Sequence, residues 1–255
     1  MNGISKTPSF RLDGRTALVA GGTSGIGRGA ASALAEFGAD VTVAARSTAG
    51  LAETHDAMIK HGLVVRTMEL DLADVEAIER MVGEAGPFDI LVNSAGIARH
   101  ASAISVTAES FDQVMAVNLR GAFFLAQAVA KGLIESGLSG SLITISSQMG
   151  HVGGVDRSVY CASKHAVEGF TKTMAIEWGQ HGIRVNTICP TFVRTPLTES
   201  TFLDPNRVSW IEEKIKLGRV GQIEDVMGAV VFLASDASAL VTGSALTVDG
   251  GWTAG

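Results

Sequence analysis

Short apolar runs alternate with longer segments of helical periodicity along most of the chain. The predicted strands are residues 16–20, 41–45, 63–70, 88–93, 141–147, 184–189 and 245–248. The predicted helices are residues 25–37, 51–61, 75–84, 110–134, 160–181 and 223–234. Strands such as 16–20 are apolar throughout, which is typical of strands covered on both faces. The pattern predicts a three-layer α/β fold with a doubly wound parallel sheet.

The alternation continues through all 255 residues without an internal boundary, so we expect one domain over residues 1–255. One segment, residues 195–217, interrupts it with polar sequence that contains scattered aromatic residues. Two interpretations remain open for this segment. It is either a mobile lid on the substrate side of a site or a packed pair of surface helices.

Composition excludes several classes of protein. The formal net charge is −6 and no long basic run occurs, which argues against nucleic-acid binding. No apolar stretch precedes Ala17 and no run of about eighteen apolar residues occurs, so we expect neither a signal peptide nor a membrane span. Cys161 and Cys189 are too few for a disulfide framework and indicate reduced thiols in a cytoplasmic protein.

A glycine-rich turn, AGGTSGIG, lies between the first predicted strand and the first predicted helix. Gly21, Gly25 and Gly27 would let the backbone turn sharply and approach a phosphate, which the N–H groups at the helix start would then bind. Three glycines are also compatible with a purely structural turn.

A second motif, SSQMGHVGGVDRSVYCASK, places Tyr160 and Lys164 four positions apart in a helical pattern, so that both face one side. Ser147 ends a strand thirteen positions before Tyr160. Singly, Ser147 could be a turn residue and Lys164 a solvated charge, whereas their combination at this spacing favours a catalytic group.

These motifs resemble those of the short-chain dehydrogenases/reductases. AGGTSGIG is similar to that family's T-G-x-x-x-G-x-G turn, with Ala20 in place of threonine, and the likeness runs from this turn to residues 249–251. The resemblance implies a Rossmann-like fold, a nicotinamide cofactor, and a catalytic set of Ser147, Tyr160, Lys164 and Asn118, the last from AVNLRG.

The chemistry of this set follows from its side chains. A tyrosine with a pKa near ~10 is a poor base at neutral pH, and we expect the Lys164 ammonium to lower that pKa. Tyr160 would then donate a proton during reduction and accept one during oxidation. Ser147 would orient the substrate oxygen and Lys164 would hold the ribose hydroxyls. Asn118, a poor helix former, would hold a water that links Lys164 to solvent, or would only kink the helix.

The residues after the second strand indicate which nicotinamide cofactor is used. NAD-dependent enzymes place a carboxylate there for the ribose 2′-hydroxyl, whereas this chain has Ala45, Arg46 and Ser47. Arginine pairs well with a phosphate, so NADP(H) is favoured over NAD(H), unless Arg46 is only a solvated surface charge.

The resemblance implies that further segments contact the cofactor. Asp71 would bind the adenine amino group, or it could instead cap the helix that follows. The residues from Asn93 to Gly96 resemble N-N-A-G, and the segment after Pro190, with Thr191 in place of glycine, holds the carboxamide. The complete predicted cofactor set is Gly21, Thr23, Ser24, Gly25, Ile26, Gly27, Arg46, Ser47, Asp71, Leu72, Asn93, Ala95, Gly96, Tyr160, Lys164, Pro190, Val193 and Thr195.

The substrate pocket is predicted to mix apolar and cationic groups. Its candidate residues are His100, Met149, His151, Val155, Arg157, Phe192, Arg194, Phe202 and Trp210. This mixture favours a small polar ketone, polyol or sugar acid.

A 3-oxoacyl-carrier-protein reductase is a weaker alternative, because the helix beside the site offers only Lys131 to an acidic carrier. A second alternative is a non-catalytic dinucleotide sensor, although such proteins often lack the tyrosine or lysine. The six histidines show no metal-ligand spacing, so no metal is expected for the hydride chemistry.

Two predicted helices, 110–134 and 160–181, carry apolar residues on more than one face. One face can cover the sheet, and the other needs a partner. In the family these helices pair across a two-fold axis, which implies a homotetramer or, failing that, a dimer. The alternative is that the 195–217 segment of the same chain covers them.

Overall fold

A computed structural model describes residues 4–255, and within that range all the strands form a single parallel sheet. The strands are β1 (Thr16–Ala20), β2 (Asp40–Ala45), β3 (Val65–Glu69), β4 (Ile90–Asn93), β5 (Gly140–Ile145), β6 (Ile183–Pro190) and β7 (Ala245–Val248). Their order across the sheet is β3-β2-β1-β4-β5-β6-β7. The predicted Rossmann-like, doubly wound α/β fold is therefore confirmed.

Helices cover both faces of this sheet. They are α1 (Gly25–Glu36), α2 (Thr48–Lys60), α3 (Val75–Ala85), α4 (Ala108–Met115), α5 (Ala122–Ser136), α6 (Ser158–Trp178), α7 (Pro205–Lys214) and α8 (Glu224–Ala234). Leu18 packs into the apolar layer with α3 and α5, and its neighbour Val19 packs into the opposite layer with α1 and α8. Since successive strand residues point to opposite faces, a strand buried on both sides must be apolar throughout.

The long helix predicted over residues 110–134 is not a continuous α-helix. A π-helical turn, Ala116–Gly121, separates α4 from α5. It contains Asn118, whose amide accepts a hydrogen bond from the Ile97 backbone N (2.8 Å) and donates one to the Ile97 carbonyl (2.9 Å). These bonds join the turn to the loop after β4, and π-helical turns of this kind are frequent at functional sites.

The 195–217 segment has helical structure of its own. It contains the turn Glu199–Leu203 and α7, and Ile211 and Ile215 are buried against Phe192 and Val220. The segment therefore packs as helical structure, and its role as a lid on the substrate side stays a prediction.

None of the helices in residues 4–255 is long and apolar enough to cross a membrane.

Candidate active site

A cavity of about 580 Å³ opens at the carboxyl ends of β1, β2, β4, β5 and β6. It lies where the chain reverses its winding direction, between β1 and β4, which is where doubly wound sheets bind ligands. The predicted residues that line it are Gly21, Thr23, Ser24, Gly25, Ile26, Arg46, Ser47, Asp71, Leu72, Ala95, Gly96, Ser147, Tyr160, Lys164, Pro190, Val193 and Thr195.

The glycine turn brings the start of α1 to this cavity. Gly21 adopts φ +74°, and a Cβ there would lie 2.6 Å from the Ala95 backbone nitrogen, so no larger residue fits. Ser24, the residue before α1, makes no capping hydrogen bond, and the first turn of α1 contains no acidic residue. Within residues 4–255, no side chain accepts a hydrogen bond from the first N–H groups of α1, and these groups suit the pyrophosphate of a dinucleotide.

Two residues predicted to contact the cofactor do not line the cavity. A Cβ at Gly27 would lie 2.2 Å from the Gly21 carbonyl oxygen, so Gly27 is needed for close packing of the turn against α1. Asn93 is buried, and its Oδ1 accepts a hydrogen bond from the Ala95 backbone N (3.2 Å). Both residues shape the turns beneath the cavity.

The adenosine end of the cavity has one cation at its rim. Arg46 is exposed, and no ion pair or hydrogen bond of its guanidinium occurs within residues 4–255. Ser47 accepts a hydrogen bond from Gly50 N (3.0 Å) and caps α2. Asp71 accepts one from Ala73 N (2.9 Å), whereas Asp74, and not Asp71, caps α3.

Ser147, Tyr160 and Lys164 meet at the other end. Lys164 is buried, its Nζ donates to the Ile145 carbonyl (2.9 Å), and it lies 5.7 Å from the Tyr160 ring centroid. Asn118 lies behind this group rather than on the cavity wall, and its Nδ2 also donates to Ser163 Oγ (3.3 Å). Because Ile97 and Ser163 use both amide protons, the predicted water would have to bind other atoms of the π-helical turn.

The electrostatics of this group differ from the expectation. Burial raises the pKa of Tyr160, and the neighbours that lower it are Ser147 and Arg157 rather than Lys164. Burial also lowers the pKa of Lys164 to about 8. The protein groups therefore keep Tyr160 as a neutral phenol, the form that donates a proton.

A smaller cavity of about 70 Å³ adjoins Ser147 and Tyr160 on the substrate side. The predicted pocket residues His100, Met149, Arg157 and Phe192 line it. The other predicted pocket residues, His151, Val155, Arg194, Phe202 and Trp210, do not. The Val155 side chain is exposed, and the Arg194 guanidinium stacks on Phe202, 4.6 Å from its ring centroid.

Arg157 is the main charge of this smaller cavity. It is only 9% exposed, lies 5.2 Å from the Phe192 ring centroid, and has one nitrogen 3.1 Å from His100 Nε2. Burial and then Arg157 lower the pKa of His100, so the imidazole is neutral and accepts this hydrogen bond. No carboxylate within residues 4–255 pairs with Arg157.

Sequence reasoning missed several lining residues. Thr198 lines both cavities, and its hydroxyl donates to the Val193 carbonyl (2.6 Å). It lies in the irregular segment, where no pattern distinguishes it from its neighbours. Thr191, noted only as a departure from glycine, also lines both cavities, and its Oγ1 is buried without a hydrogen-bond partner in the described chain.

Comparisons with known proteins agree with this geometry. Residues 20–253 match the family model described as Enoyl-(Acyl carrier protein) reductase. The chain is 42% identical to the L-xylulose reductase of Bos taurus, over 96% of this chain and 99% of that protein.

Two solved structures extend the likeness. A proposed 2-deoxy-D-gluconate 3-dehydrogenase from Agrobacterium tumefaciens, with bound NADP, is 44% identical with a TM-score of 0.93, covering 98% of this chain and 100% of that one. A gluconate 5-dehydrogenase from Burkholderia cenocepacia, in complex with NADP and tartrate, is 36% identical with a TM-score of 0.91, covering 96% and 98%. The chain therefore belongs to the short-chain dehydrogenase/reductase family and is an NAD(P)-dependent oxidoreductase of CH–OH groups.

Proposed function

We propose that this enzyme transfers a hydride between NADP(H) and a carbinol or carbonyl carbon of a sugar acid, whose carboxylate binds Arg157. The observation that carries the proposal is a buried guanidinium beside Tyr160 without a carboxylate partner in the described chain. A buried charge is costly unless it is paired, and an anionic substrate would supply the missing partner. The NADP-bound gluconate 5-dehydrogenase structure with tartrate, a dicarboxylate, agrees with this chemistry.

The large cavity fits a phosphorylated dinucleotide. The start of α1 would hold the pyrophosphate, and Arg46 the 2′-phosphate. Lys164 would hold ribose hydroxyls, while Val193 and Thr195 would hold the carboxamide. When bound, the nicotinamide donates or accepts the hydride, and its cationic oxidised form favours the Tyr160 phenolate.

The protein's own groups handle the proton. Ser147 donates a hydrogen bond to the substrate oxygen and orients it. In reduction, Tyr160 Oη gives its proton to that oxygen, and in oxidation it takes the proton back. Ser147 and Arg157, the neighbours that lower the pKa of Tyr160, stabilise the phenolate that remains after reduction, while Lys164, charged below about pH 8, holds the ribose. A water near the Asn118 turn would return a proton from solvent.

The test compares a gluconate-type acid with a neutral polyol of the same chain length, for the wild type and Arg157→Met. We expect the substitution to lower kcat/KM for the acid by about 100-fold, because charge-assisted hydrogen bonds to a desolvated partner are worth a few kcal/mol. Values for the polyol should change by less than about threefold. Equal losses for both substrates, or a wild-type preference for the polyol, would contradict the proposal and favour a neutral polyol/ketose reductase like the bovine relative.

The carrier-protein alternative has little support. The helix beside the site offers only Lys131 to an acidic partner. Its Nζ lies 3.9 Å from Glu135 Oε1, and this carboxylate offsets part of the lysine charge. The sensor alternative can be tested in the same experiment, because it predicts NADP binding without turnover of either the acid or the polyol.

We further infer a homotetramer, with a dimer as the simpler form. A groove of about 670 Å³ is lined entirely by α5 and α6, so the 195–217 segment does not cover it. Phe123 and Phe170 meet there edge-on at 5.7 Å, and the nearby Ile176 is 82% exposed. Light scattering behind a sizing column tests this inference, and a mass near 26.4 kDa would overturn it.

The two free, buried cysteines support a reducing, cytoplasmic location.

A further inference from the structure

Three potential metal ligands meet directly beneath the catalytic group. His151 follows β5, Glu168 lies one helical turn after Lys164 on α6, and Cys189 lies near the end of β6. Cys189 Sγ is 3.4 Å from His151 Nε2 and 3.4 Å from Glu168 Oε1, and His151 Nε2 is 4.0 Å from Glu168 Oε2. None of the three lines either cavity of the active site.

These separations are close to those of a tetrahedral zinc site. Bonds of about 2.3 Å to sulfur and about 2.0–2.1 Å to nitrogen or oxygen place the ligand atoms roughly 3.3–3.6 Å apart. Two of the three pairs already have this spacing. The third pair joins a nitrogen to an oxygen, for which a separation of about 3.3–3.4 Å is expected. Rotation of the partly exposed His151 side chain would have to shorten the present 4.0 Å by about 0.6 Å.

The surroundings of the cluster resemble those of a metal site. Glu168 is only 5% exposed and forms no ion pair with a lysine or arginine within residues 4–255, although the Lys164 ammonium one helical turn away interacts with it at longer range. Thr187 Oγ1 donates to Glu168 Oε2 (2.9 Å), as outer-shell groups do for ligating carboxylates. Ser146, also buried, places its hydroxyl beside Cys189, and Gly150 lies against both this hydroxyl and Glu168.

The ligand types favour one class of metal. Thiolate and imidazole bind Zn²⁺ and Co²⁺, whereas Mg²⁺ and Ca²⁺ require oxygen ligands. A thiolate and a carboxylate would neutralise a divalent ion inside the protein. The His151 side chain is 34% exposed, which gives the ion a route from solvent and leaves the fourth position to a water.

We propose that His151, Glu168 and Cys189 form a zinc-binding site that joins the turn after β5 to α6 and β6. No metal is expected for the hydride chemistry, and this site takes no part in that chemistry. The proposed zinc is a structural ion beside the catalytic group. Its ligands lie far apart in sequence, so their spacing alone could not reveal it. Zinc there would stabilise the segments that carry Ser147 and Lys164.

The first test uses tag-free, chelator-treated protein without nucleotide, titrated with Co²⁺. We expect one Co²⁺ per chain, with a thiolate-to-cobalt charge-transfer band and the intense visible bands of tetrahedral coordination. Cys189→Ser should lose the charge-transfer band, whereas Cys161→Ser, the matched control at the other buried cysteine, should retain it. A spectrum that persists in Cys189→Ser, or no spectrum in the wild type, would overturn the proposal.

A second measurement covers the case in which Cys189→Ser fails to fold. His151→Gln changes a partly exposed side chain, and should weaken Zn²⁺ binding in a chelator competition by more than the ~10–100-fold typical of an outer-shell change. Zn²⁺ at about 100 times its Kd should raise the Tm of the wild type by roughly 5–10 °C, and Mg²⁺ should not. An equal Tm rise in His151→Gln would contradict the site. Neither readout depends on the proposed substrate.

Discussion

The cofactor end and the substrate end of the active site are built in different ways. The cofactor end is formed by turns of backbone and by small residues such as Gly21 and Ala95, with Arg46 as the cation at its rim and Asp71 as a carboxylate on its wall. The substrate end is formed by large side chains from separate parts of the chain, including His100, Arg157 and Phe192. Changes at one end should therefore leave the other largely unaffected, and the following predictions test that separation.

The largest effect is expected where the two ends meet. Tyr160→Phe removes only the titrating hydroxyl, so kcat should fall by about 10²–10⁴-fold, the usual contribution of general acid–base catalysis. The Kd of NADPH, measured by fluorescence titration, should change by less than about twofold. A near-normal kcat would refute the assigned mechanism.

Lys164→Met should lower both turnover and NADPH affinity, because Lys164 is assigned to both. It should also stabilise the fold at pH 7. The pKa of this buried lysine is about 8, against 10.5 when it is free, so charging it in the folded state costs up to about 3 kcal/mol. Lys164→Met removes this cost but also loses the hydrogen bond to the Ile145 carbonyl. The net increase in the free energy of unfolding should be about 1 kcal/mol.

The stability difference between Lys164→Met and the wild type should depend on pH. Between about pH 8 and 10.5 the unfolded chain holds a proton that folded Lys164 has lost, so wild-type stability gains from rising pH across this window. The advantage of Lys164→Met in urea unfolding should accordingly shrink from pH 7 to pH 10. Lys172→Met, an exposed lysine of the same helix, is the control. An advantage that is independent of pH would show that charge burial is not its cause.

The same contrast explains what the sequence could predict. The fold and most of the cofactor wall follow from apolar strands and glycine turns, because backbone geometry there leaves few alternatives. Gly27 and Asn93 belong to those motifs, yet they shape the turns from beneath and do not line the cavity. A motif thus locates a turn without distinguishing the residues that line it from those that support it.

Features that depend on distant side chains were not predictable. The π-helical turn at Asn118 depends on hydrogen bonds to Ile97, and the pKa of Tyr160 depends on burial by the complete fold. At the substrate end, Arg157 was one of nine candidates, and only the fold shows that it is buried without a carboxylate partner. Such properties need the packing, because no local pattern records them.

Arg46→Asp should act on the cofactor end alone. Replacing the cation by a carboxylate repels the 2′-phosphate and offers an acceptor to the ribose 2′-hydroxyl of NADH. We expect kcat/KM for NADPH to fall by about 10–100-fold and that for NADH to rise, with the KM of the sugar acid unchanged. Arg80→Asp, an exposed site on α3 with the same charge change, is the control. A wild type that clearly prefers NADH would contradict the assignment of NADP.

The smallest effect should come from the aromatic support behind the substrate end. Trp210 contacts Trp252 edge-on at 5.4 Å, and Trp252 lies 5.6 Å from Phe192, on which Arg157 stacks. An aromatic pair contributes about 0.5–1.5 kcal/mol, so Trp210→Ala should lower kcat/KM for the acid by roughly 2- to 10-fold.

NADPH affinity should stay the same in Trp210→Ala, because none of these rings lines the cofactor cavity. Phe10→Ala is the matched control, since it removes a partly exposed ring that packs on Phe232, a residue that lines neither cavity. Steady-state kinetics with each substrate varied in turn would measure both effects. If Trp210→Ala weakened NADPH binding as much as it lowered kcat/KM for the acid, the two ends would be coupled through α7. The prediction that the two ends act independently would then be wrong.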